Sequence, residues 1–105
     1  MTLSSEFAKL DRLVHELLAL LDEADETFWH RYLERGVKNV QAHKLAGATF
    51  ILGCYTGQGS FSDLKLARDL EQSEPLRHRN LNARLTALRN EVFSSASRIA
   101  SRELW

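Results

Sequence analysis

This chain of 105 residues has little to offer covalent or catalytic chemistry. Its one cysteine, Cys54, can form no disulfide within the chain, which suits a reducing compartment. With one proline, Pro75, and five glycines, most of the chain is free to be helical. Formal net charge is zero, which argues against a protein built to grip nucleic acid or an anionic membrane. The longest apolar run, Leu17 to Leu21, is far short of the roughly 20 residues a membrane span needs. No basic start leads into an apolar run, so no secretory signal is expected, and the expected location is cytoplasmic.

Metal and cofactor chemistry also lack their residue patterns. His15, His30, His43 and His78 never fall at the three- or four-residue spacing that puts two imidazoles on one helix face. The glycine-rich stretch has Gly59 where a phosphate loop needs a lysine before Ser60. After Gly57-Gln58-Gly59-Ser60-Phe61 comes Ser62, where a dinucleotide fingerprint needs a third glycine. No metal, no cofactor and no enzymatic activity is expected. A catalytic reading would require His43, Cys54 and Asp63 to converge within hydrogen-bond reach.

The sequence does carry helical periodicity. Leu3, Phe7, Leu10, Val14, Leu17 and Leu21 recur at alternating spacings of four and three, the seam of an amphipathic helix that Thr2 or Ser4 can cap. The acidic run Asp22 to Glu26 suits the start of a second helix better than the end of the first, so a turn is expected near 23–26. The second helix should run from Thr27 to Lys38, with Phe28, Trp29, Tyr32, Leu33 and Val37 on its apolar face. Gly36 or Asn39 marks its break. A third should cover Val40 to Leu52, where Gly47 allows close approach of a neighbouring helix and Thr49-Phe50-Ile51 could instead begin a strand. Ser60 to Asp63 reads as a capping box opening a short helix from Phe61 to Leu70. A last long helix, capped by Ser73 with Pro75 in its first turn, carries Leu81, Leu85, Leu88, Val92, Ala96 and Ile99 to about Arg102. The expected fold is an all-α, single-domain bundle of four to five helices with long first and last members.

Zero net charge hides an asymmetry. Residues 1–35 sum to −4 and the rest to +4. Either two complementary faces meet inside the fold, or an acidic surface awaits a basic partner. Arg77, Arg84 and Arg98 of the last helix share a seven-residue phase that would pair with an acidic first helix.

Three of the five glycines fall in the stretch Gly53 to Gly59. The element Gly57-Gln58-Gly59-Ser60-Phe61-Ser62-Asp63-Leu64, with Leu20-Leu21-Asp22-Glu23-Ala24 and Phe28-Trp29 upstream, resembles a family of small uncharacterised bacterial helical proteins with a G-x-G-S-[FL]-x-D-L element. Thr56 stands where that family has a further glycine. The resemblance implies no activity. By type it suggests an immunity protein, which neutralises a cognate toxin by covering its active site. The expected contact surface is Glu23, Asp25, Glu26, Gln58 and Asp63, with Gly57, Gly59 and Ser60 as the structural loop. The expected partner is another protein, with no nucleic acid and no membrane. The alternative is a structural or regulatory homo-oligomer pairing through the seams of the first and last helices.

Overall fold

A computed structural model of the chain describes residues 2–56 and 59–104, the side chains of residues 103 and 104 excepted. Five α-helices are found there: α1 (Leu3–Glu23), α2 (Thr27–Gln41), α3 (Leu45–Gly53), the single turn α4 (Leu70–Ser73) and α5 (Pro75–Leu104). No strand occurs among the described residues, so Thr49-Phe50-Ile51 is helical. The fold is the all-α bundle with long first and last helices that the periodicity predicts. α1 packs against α2 and α5, and α3 bridges α2 and α5.

The apolar seams close this core. Phe7, Leu10, Val14, Leu17 and Leu21 of α1 are buried with Leu81, Leu85, Val92, Ala96 and Ile99 of α5. Two ion pairs show that these helices run antiparallel, Glu23 with Arg84 at 2.9 Å and Glu6 with Arg98 at 3.4 Å. Part of the charge asymmetry is therefore complementarity within one fold. Both seams are buried within the single chain.

Two helix ends use left-handed residues other than glycine. At the end of α1, Asp25 (φ 57°) donates its N–H to Asp22, and Glu26 donates to Leu21. At the end of α2, His43 (φ 54°) donates to Val40, and Lys44 donates to Asn39. Both are Schellman closures, which more often carry glycine at that position. The second moves the boundary expected at Gly36 or Asn39. Val40 belongs to α2, and α3 starts only at Leu45. Thr2, rather than Ser4, caps α1 by accepting from the Ser5 N–H at 3.1 Å.

Two further expectations fail. Phe28 is 64% exposed, because α2 turns Leu33, Gly36 and Val40 inward. The short helix expected from Phe61 to Leu70 is only a 3₁₀ turn, Phe61–Asp63, followed by extended chain. Contacts with α5 override the local helical tendency. Arg89 Nη1 donates to the carbonyls of Phe61 (3.1 Å) and Leu64 (3.2 Å), which a continuing helix would need. Asn82 accepts from the Leu66 N–H at 2.7 Å and donates to the Leu66 carbonyl at 2.9 Å. Ala67 then turns left-handed at φ 52°. Glu74, not Ser73, directly precedes α5.

Candidate functional site

The α1–α2 turn, the chain from Gly59 to Leu70 and the start of α5 enclose a cleft of about 820 Å³. Glu23, Asp25 and Glu26 form one rim, and Gly59, Ser60 and Asp63 lie in the wall. These six come from two segments more than thirty residues apart, and the fold gathers them around one space. Gly57 and Gln58 lie outside the described residues. Lys65, Arg68 and Arg77 line the cleft as well, and Trp29, Leu64 and Leu81 supply its apolar parts. The described lining carries six carboxylates (Glu23, Asp25, Glu26, Asp63, Asp69, Glu74) against these three bases, so the cleft is net negative.

Most of the predicted acids also serve the fold. Glu23 pairs with Arg84 across the bundle. Glu26 Oε2 accepts from the Trp29 N–H at 3.1 Å and so caps α2. Asp63 Oδ2 accepts from the Gly59 N–H at 3.0 Å. It reaches one residue further back than a capping box with Ser60 requires, and the buried Ser60 Oγ has no hydrogen-bond partner among the described residues. For Asp25 the structure records backbone bonds only, and its side chain is exposed. Among the described residues, Asp25 is thus the rim carboxylate whose side chain has no recorded partner.

The bases of the cleft escaped the sequence reading. Arg77 is legible only as one of the arginines of the last helix, and Lys65 and Arg68 carry no mark of their own in the sequence. The available signal for Lys65 and Arg68 is their clustering with Asp69 just after the glycine-rich element.

The three residues a catalytic reading required have separate environments. The His43 ring stacks on Phe7 at 5.1 Å, Cys54 Sγ donates to the Phe50 carbonyl at 3.5 Å, and Asp63 bonds Gly59. Burial pushes the Cys54 thiol up to about 11 from its ordinary 9.0, which leaves little thiolate at neutral pH. Burial also raises the Tyr55 hydroxyl; the Arg89 charge opposes that shift and the Cys54 thiolate adds to it. Tyr55 donates to the Arg89 carbonyl at 2.7 Å.

These shifts carry a sign. Between pH 9.0 and about 11 the unfolded chain ionises its cysteine while the folded chain does not. Unfolding is favoured as the pH rises, by on the order of 2 kcal/mol. The Cys54 contribution to stability, measured by denaturant unfolding, should be fully present well below pH 9.0 and be lost as the pH rises through about 11. Tyr55 extends the fall above pH 10.0. Cys54→Ala should flatten the first part of the decline. An equally steep fall in that variant would refute the assignment.

Among the described residues, no three His, Cys, Asp or Glu side chains gather as a metal site would need. No described helix is long and apolar enough to cross a membrane. No protein-family model matches this chain, nor does any curated protein or solved structure.

Proposed function

We propose that this chain is a non-catalytic protein-binding module whose acidic cleft receives a basic surface of another protein. One observation carries the proposal: the acidic turn and the glycine-loop segment converge on one net-negative cleft. Opposite charge across an interface speeds encounter and selects the partner. The small helical frame, together with the buried, protonated Cys54, suits a protein that acts by occupying rather than by reacting. In a bacterial cytosol the matching role is that of an immunity protein, which blocks a cognate toxin by covering a basic, substrate-binding cleft.

Asp25→Asn gives the cleanest test. Asparagine tolerates the left-handed conformation at this position, so the charge is removed with the turn preserved. An immunity gene normally lies beside its toxin gene, so the product of the adjacent gene is the first partner to assay. In a pull-down, the wild type should retain that product at one-to-one stoichiometry. Asp25→Asn combined with Glu26→Gln should weaken retention by about tenfold or more. Equal retention by the variant removes the acidic rim from the contact, and no retention by either removes the proposed partner.

A further inference from the structure

Beside the cleft, α2 presents a second surface, which shares Asp25 and Glu26 with the acidic rim and adds an aromatic and two arginines that the proposed function does not use. Phe28 stands out at its N-terminal end, 64% exposed. Its ring stacks on Tyr32 at 6.1 Å, and Tyr32 stacks on Phe50 at 5.4 Å. The exposed ring is thus held by a ladder of aromatics rooted in the fold. Arg31 and Arg35 edge a groove with Thr27, Phe28 and Tyr32, and the Arg35 guanidinium lies 5.2 Å from the Tyr32 ring centroid. Neither arginine forms an ion pair among the described residues. A second groove shares Thr27 and Arg31 with the first and is also lined by Asp22, Asp25, Glu26, His30 and Glu34, with His30 Nδ1 3.1 Å from Glu34 Oε1.

Basic-aromatic and acidic patches therefore lie side by side, sharing residues on one strip. A polyanion such as nucleic acid would meet the arginines and be repelled by the adjacent carboxylates, Asp22 and Asp25 above all, since Glu26 caps α2 and Glu34 pairs with His30. The complement of this strip is a surface with the two signs in reverse order. A two-fold rotation produces that order from the strip itself.

We propose that this chain pairs with a second copy of itself through this strip. Phe28 of the two copies meets at the two-fold axis, and Asp22 and Asp25 of each copy face Arg31 and Arg35 of the other. The strip is small, so the pairing is weak and reversible, with a dissociation constant on the order of micromolar or above. Pairing covers Asp25, and a heterologous partner would have to displace the second copy to reach the acidic rim. That regulatory consequence rests on the proposed function; the pairing itself does not.

Sedimentation equilibrium of this chain alone tests the pairing, so its outcome is independent of any heterologous partner. From about 5 µM to about 1 mM, the mean mass of the wild type should climb from 12.0 kDa toward twice that value. Arg31→Glu with Arg35→Glu, and separately Asp22→Lys with Asp25→Lys, should each weaken self-association by about tenfold or more. Mixing the two reversed proteins should restore the heavier species, because the charges again oppose. Circular dichroism checks that each variant is folded, and Phe28→Ser, at an exposed site, provides a third disruption independent of charge. A wild type that stays at 12.0 kDa throughout, or a dimer unaffected by either reversal or by Phe28→Ser, overturns the proposal. A monomer whose Thr27 to Arg35 amide resonances shift with an acidic peptide would assign the face to a different partner and overturn it as well.

Discussion

Gly47→Ala should destabilise the fold by about 3 kcal/mol, although alanine is the better helix former by about 1 kcal/mol. Gly47 lies in α3 where that helix crosses α2. A Cβ built there would sit 2.6 Å from the Val40 backbone nitrogen, 2.8 Å from Val40 Cγ2 and 2.9 Å from the Asn39 carbonyl carbon. Two of these atoms belong to the backbone of α2, so no rotamer change relieves the contact, and the helices must separate. For a domain of this size a loss of that magnitude lowers the melting temperature by roughly 10 °C or more. Gly53→Ala is the control. It lies at the end of α3, where an added Cβ meets nothing within 4 Å, and the substitution should be neutral or stabilising by up to about 1 kcal/mol. A Gly47→Ala melt at or above the wild-type temperature would contradict the close crossing.

Phe61→Ala should cost about 3–5 kcal/mol, as complete truncation of a buried aromatic does. The Phe61 side chain is fully buried. Its ring lies 5.3 Å from Trp29 and 5.5 Å from Tyr55. It is also the point at which the glycine-loop segment is anchored in the core, since its carbonyl accepts from Arg89 and its N–H donates to the Cys54 carbonyl at 2.9 Å. The loss should therefore appear twice. Denaturant unfolding should show reduced stability. Trp29 emission should shift to the red under native conditions, because the indole loses its cover at the cleft. Asp63 leaves its place in the cleft wall along with the loop, so affinity for a basic partner should fall while every acidic side chain remains. Stability lost with no change in Trp29 emission would mean that the loop stays seated without Phe61.

The parts of the fold that could be read in advance are those where local pattern and tertiary packing agree. The α1 and α5 seams recur at helical spacing over many turns, and both are buried as the spacing implies. The turn at 23–26 was readable because four acids at a helix C-terminus oppose the macrodipole. Gly47 was readable as a point of close approach because a lone glycine in an apolar helix has few other uses. The end of α2 was not. The visible breaker, Gly36, lies inside the helix against the Phe50 ring, while the actual stop uses His43, which carries no such signal. The helix that the sequence predicts after Phe61 does not form, because Arg89 and Asn82, more than fifteen residues away, take the backbone groups a helix would use.

The candidate site divides in the same way. Acid clustering in the sequence marked Glu23, Asp25 and Glu26, and the glycine element marked Asp63. Nothing local said that these would share one cleft, or that Lys65, Arg68 and Arg77 would line it too. Nor did sequence distinguish Asp25, whose side chain has no recorded partner among the described residues, from Glu26, which caps α2. That distinction comes from the Schellman closure of α1, which leaves Asp25 projecting and makes its neighbour the cap.

The most direct test of the acidic-cleft account is a calorimetric titration of the adjacent gene's product into this protein at two salt concentrations. A one-to-one complex is expected, with affinity dropping by about tenfold or more between roughly 0.05 M and 0.5 M salt, as for attraction between opposite charges. Asp25→Asn should flatten that salt dependence. A complex indifferent to salt, or one whose salt dependence survives Asp25→Asn unchanged, would contradict the role given to the acidic rim.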